Sequence, residues 1–118
     1  MKYESIDEPS RAELAIALSS GDTTRIVHAL LALALGDPDW SWVQERCVEC
    51  LTNAQPWVRR TAATSLEHLA RIHGTLDVDR VMPALARAAD NPEDSEYIKT
   101  AIDEINWHLS RQRTPDST

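Results

Sequence analysis

The chain has 118 residues, 42% of them apolar, and a formal charge of −7 from 12 Lys plus Arg against 19 Asp plus Glu. Ala and Leu supply 27 of the apolar residues, Val and Ile only 13, and Phe none, while 3 Gly and 6 Pro punctuate the chain. Ala and Leu lose little side-chain freedom in a helix, and strand-favouring residues are scarce, so a β-sandwich, a collagen-like chain and a disordered chain are all disfavoured. The length suits a single all-α domain. An acidic surface repels phosphate backbones, which argues against nucleic acid as a ligand and for a basic protein partner, though the same charge also serves solubility.

Six helices are predicted. The first runs from about Pro9 to Ser19 and stops at Gly21, with Pro tolerated in the first turn because its missing N–H would be unpaired there. The second, from about Thr23 to Leu35, is N-capped by Asp22 and stopped by Gly36, and its apolar residues on nearly every face imply burial between neighbours. The third is predicted from Asp37-Pro38 to about Thr52, with Trp40, Val43, Cys47, Cys50 and Leu51 at helical spacing. The fourth runs from Pro56 to Gly74 over Val58, Ala62, Leu66, Leu69 and Ala70. The fifth follows Asp77 or Asp79 and contains Pro83, where a small kink is expected. The sixth runs from about Ser95 to Leu109 with Ile98, Ala101, Ile102, Ile105 and Leu109 inward.

Residues 1–6 and 111–118 lack apolar periodicity and are expected to fray, leaving a helical core of about 8–110. Connections this short make successive helices antiparallel, giving three hairpins. The longest mostly apolar stretch, Ile26 to Leu35, is half the roughly 20 residues a membrane span needs. The first residues carry no signal-peptide pattern, so a cytoplasmic location and no membrane contact are expected. Cys47 and Cys50 form a C-x-x-C in mid-helix, away from the helix N-terminus that would activate a thiol, and are read as buried structural thiols.

The second hairpin carries Val58-Arg59-x-x-Ala62-x-x-x-Leu66 after an Asn53-Ala54-Gln55-Pro56 turn. This resembles the HEAT repeat, whose second helix shows Val-Arg, then a small residue, then Leu. The third hairpin repeats it 39 residues on, with Tyr97, Ala101 and Ile105 at the corresponding positions and Ile98 in place of the Arg. Its first helix, Val81-Met82-Pro83-Ala84-Leu85, also resembles the family. The likeness covers about residues 37–109 and implies a short α-solenoid, a type of fold that works as a binding surface. In size, charge and architecture the chain is also similar to immunity proteins of contact-dependent growth inhibition and other polymorphic toxin systems. That second likeness implies one cognate toxin domain, often a nuclease, as partner.

In such a solenoid the second, fourth and sixth helices line one face, so residues off their core stripes are the candidate partner contacts. Trp57 and Arg60 on the fourth helix, with Glu96, Lys99, Asp103 and Trp107 on the sixth, are the first of these. Trp is enriched at binding hot spots, but each Trp here would equally serve to cover a seam between hairpins. Trp42 faces the same two alternatives. Asp90, Glu93, Asp94, Glu96, Asp103 and Glu104 form the densest charge. Helix capping accounts for Asp94 and Glu96, and the others either steer a basic partner or form a solvated face.

Catalysis finds no support: no His pair has the i, i+4 spacing of a helical zinc site, no Gly-rich phosphate loop occurs and no nucleophile elbow is present. No enzyme activity, cofactor, metal or small-molecule substrate is expected. The leading expectation is an immunity protein that neutralises a basic toxin domain. The alternatives are a scaffold or assembly module with a housekeeping partner, a glycosylase-like DNA enzyme disfavoured by the charge, and a chromophore chaperone for which no dedicated residue is seen.

Overall fold

A computed structural model describes residues 4–113 as six helices: α1 (Glu4–Ser20), α2 (Thr23–Gly36), α3 (Trp40–Cys50), α4 (Pro56–His73), α5 (Val78–Ala88) and α6 (Ser95–Arg113). Turns of a few residues pair α1 with α2, α3 with α4 and α5 with α6 as antiparallel hairpins. The hairpins stack so that α2, α4 and α6 lie side by side in one layer. In the other layer α3 packs on α5 and meets α1 through Arg11 and Trp42. The Cα extents, 47 × 43 × 18 Å, are those of a slab two helices thick.

The expected helix types and order hold, and several boundaries move. α1 starts at Glu4 and α6 continues to Arg113, so the helices extend beyond the expected core of 8–110; 1–3 and 114–118 lie outside the described residues. α3 begins at Trp40, because Asp37 is the C-cap of α2 and its side chain is engaged elsewhere. Asp22 caps α2 as expected, accepting from the Arg25 N–H, while Asp39 caps α3 through the Trp42 N–H. Gly21 and Gly74 end α1 and α4 at φ +75° and +70°, a conformation that a Cβ resists. The apolar girth of α2 does not bury it completely: Ile26, Ala29, Leu30, Leu33 and Ala34 are buried, but Leu35 is exposed.

The core runs continuously between the layers, from Leu14 and Ala17 through Leu30, Leu33, Val43, Cys47, Val58, Leu66 and Leu69 to Leu85, Ile98 and Ile105. Ala62, Ala63 and Ala70 on α4 are fully buried, and their small side chains let the flanking helices approach. The periodicity of α6 holds, with Ile98 inward and fully buried, and it is the repeat alignment that is one residue out of register: Tyr97, which it matched to Val58, is 43% exposed.

Polar side chains tie three of the turns to a helix of the preceding hairpin. Arg11 donates to the buried Asp37 carboxylate through Nε and Nη2 at 2.7 and 3.0 Å. Gln44 Oε1 accepts the Asp77 N–H at the start of α5, at 2.8 Å. Arg59 reaches Asp94 at 2.6 Å and also donates to the carbonyls of Asn53 and Ala54. These bonds satisfy backbone and carboxylate groups that short turns would otherwise leave buried and unpaired.

Candidate functional site

Small residues let α6 approach α4 closely, and the seam between them is a shallow groove of about 240 Å³. Thr64 and Glu67 of α4 form one wall, and Tyr97, Thr100, Ala101 and Glu104 of α6 the other. The groove carries exposed aromatics at both ends. A wider depression of about 530 Å³ lies on the opposite layer where α3 and α5 meet the turns, but aliphatic side chains, turn residues, Arg59 and Arg87 line it without an aromatic anchor.

At the first end Trp57, beside Pro56 in the first turn of α4, is 59% exposed. The Arg60 guanidinium lies 5.4 Å from its ring centroid and 5.9 Å from that of Tyr97, so one cation bridges both rings. Arg60 is itself held: Nε donates to Asp94 Oδ1 at 2.9 Å and Nη2 to the Glu93 carbonyl at 3.0 Å. At the far end Trp107 is 55% exposed, meets the His108 ring edge-on at 5.2 Å and lies 4.7 Å from the Arg111 guanidinium. Asp103 and Glu104 share its surface depression. Ten residues of helix separate Tyr97 from Trp107, a span of about 15 Å.

The predicted contact residues divide by environment. Trp57 and Trp107 are exposed, as anchors must be, and Glu96, Lys99 and Asp103 share an exposed strip of α6 with Trp107 at i, i+3 and i, i+4 spacing. Asp90 is exposed in the α5–α6 turn. Trp42 is a seam residue: it is half-buried against the core, with guanidiniums of Arg11 and Arg46 at 4.3 and 4.9 Å from its ring.

Asp94 and Arg60 belong to a part-buried ion network rather than to an open acidic surface, and Glu93 joins it from solvent. Asp94 is 1% exposed, and its carboxylate accepts from both Arg59 and Arg60, while its main-chain carbonyl takes the Ile98 N–H of α6. Burial pushes its pKa upward, but the two arginine hydrogen bonds outweigh burial and hold the carboxyl below its ordinary value. Glu93 pairs with Arg59 at 3.3 Å.

Sequence reasoning missed Tyr97, which the repeat alignment put in the core; its place one residue before the Ile98 stripe is the signal that it points outward. It also missed a cross-helix cluster. His108 Nε2 lies 2.8 Å from Glu67 Oε2, and a ligand atom of Glu104 joins these two with all three within 4.8 Å of one another. No spacing rule within one helix finds Glu67, because it comes from α4.

The two cysteines are buried and unpaired in α3. Burial pushes both thiols up, Cys47 further than Cys50, whose pKa rises to about 11. At neutral pH both are protonated, which fits the structural reading. No helix among the described residues is long and apolar enough to cross a membrane. Compared with protein-family models, curated proteins and solved structures, the chain has no match in any of the three.

Proposed function

We propose that this chain is a non-catalytic binding protein whose α4–α6 face takes one basic protein partner, and that it acts as an immunity protein neutralising a toxin domain, such as a nuclease. The observation that supports the reading is the pairing of exposed Trp57, Tyr97 and Trp107 with Glu96, Asp103 and Glu104 on one helical face. Exposed aromatic rings bury large areas at little conformational cost, and they are the commonest hot-spot residues. The acids around Trp107 complement Lys and Arg on a partner and speed encounter. Arg60, anchored by Asp94, fixes the orientation of Trp57 and Tyr97 before the partner arrives, which lowers the ordering cost of binding.

Protection against an enzyme made in the same cell demands nanomolar binding or better, about −12 kcal/mol. The test is affinity capture from the native host with a high-salt wash, followed by titration of the recovered partner. A single stoichiometric basic protein whose activity is abolished by one equivalent of this chain is expected. Trp57→Ala, Trp107→Ala and Asp103→Lys should each weaken it, the Trp variants by about 2 kcal/mol or roughly 30-fold. Several sub-stoichiometric partners would replace the reading with a scaffold, and unchanged affinity in all three variants would remove this face from consideration.

A further inference from the structure

Because α4 and α6 lie side by side, Glu67 on α4 stands opposite Glu104 and His108, which are one turn apart on α6. The Glu67–His108 hydrogen bond joins two of these groups directly, and Glu104 places a second carboxylate within 4.8 Å of both without bonding to either. Glu67 and His108 are half-buried and Glu104 reaches in from solvent. Two carboxylates and one imidazole so close are a mixed oxygen and nitrogen donor set from two helices. We propose that Glu67, Glu104 and His108 bind a divalent first-row transition cation, with Zn²⁺ as the fitting ion, and so staple α6 to α4.

The geometry permits it at small cost. Ligand atoms about 2.0–2.2 Å from a tetrahedral Zn²⁺ are about 3.4 Å apart. The Glu67–His108 pair, at 2.8 Å, opens by about half an ångström, and Glu104 closes inward by rotating an exposed side chain. Three protein ligands leave the fourth position to water. Ca²⁺ and Mg²⁺ are poorly served, since they take six or more oxygens and make little use of an imidazole. The inference stands on the ligand geometry and does not require the toxin partner, although Glu67 and Glu104 also line the α4–α6 groove.

The experiment uses the full, untagged chain stripped of metal, titrated with ZnCl₂ at pH 7.5 by calorimetry and followed by thermal melting, with MgCl₂ in parallel. One Zn²⁺ per chain and a Tm that rises with Zn²⁺ but not with Mg²⁺ are expected. Glu104→Gln and His108→Gln should each lower Zn²⁺ affinity at least about tenfold. Glu104 is solvent-exposed, so Glu104→Gln should fold with an unchanged metal-free Tm, which keeps loss of the site distinct from loss of the fold. The proposal is overturned by the absence of saturable Zn²⁺ binding, by binding that survives both substitutions, or by an equal response to Mg²⁺.

Discussion

Replacing Asp94 by Asn tests whether this acid serves the fold or a partner. Its carboxylate is 1% exposed and receives Arg59 Nε at 2.6 Å and Arg60 Nε at 2.9 Å. Hydrogen bonds to charged groups each contribute about 1.5–3 kcal/mol net. Asn keeps the shape and accepts one of the two bonds more weakly. Arg59 also retains Glu93 and the carbonyls of Asn53 and Ala54, and Arg60 retains the Glu93 carbonyl. The loss expected at pH 7 is therefore about 2–3 kcal/mol, less than deletion of a fully isolated buried pair. With a urea slope of about 1–3 kcal/mol/M, the unfolding midpoint falls by about 0.7–3 M.

The pH dependence gives a second, sharper test. The folded pKa of Asp94 is lowered by Arg59 and Arg60 against the upward push of burial, so its stabilisation is complete above the unfolded value of roughly 4 and is lost as pH falls through the lowered folded value. The stability gap between the wild type and Asp94→Asn should hold constant from pH 8 to about 5 and narrow below about 4. Asp37, also lowered, is common to both chains and cancels in the difference. A gap below about 1 kcal/mol at pH 7, or one that does not shrink between pH 5 and pH 3, would refute the assignment of Asp94 as the internal counter-ion of two arginines.

The glycines should respond to Ala with opposite signs in thermal melts. Gly74→Ala forces a Cβ into φ +70° and should cost about 1–2 kcal/mol, whereas Gly36→Ala, in ordinary helix with nothing within 4 Å of the added Cβ, should stabilise by about 0.5–1 kcal/mol. Equal effects would mean that the αL assignment at Gly74 is wrong. Cys47 and Cys50, buried and with raised pKa values, should react with a thiol reagent only through unfolding, so labelling should accelerate with urea in step with the unfolded fraction. Complete labelling within minutes in native buffer would place the thiols at the surface.

Local signals determined much of this protein. Ala and Leu at helical spacing produce six helices, Asp22 and Gly21 or Gly74 set helix ends, and short turns leave only antiparallel hairpins. These follow from interactions within a few residues, which a sequence displays directly. The off-stripe positions of Trp57 and Trp107 were legible for the same reason, but whether they stand exposed or cover a seam was not. What the sequence could not display is which charges meet across hairpins. In sequence Asp94 reads as a helix cap, but its carboxylate is taken by Arg59 and Arg60, 35 and 34 residues away. Trp42 and Trp57 read alike in sequence, but α1 lays Arg11 over Trp42 alone. Glu67, Glu104 and His108 converge only because α4 and α6 lie in the same layer. A side chain's charge and size are properties of the sequence, but its partner is set by the stacking of hairpins, and it is the partner that separates an internal ion pair from a surface that can bind.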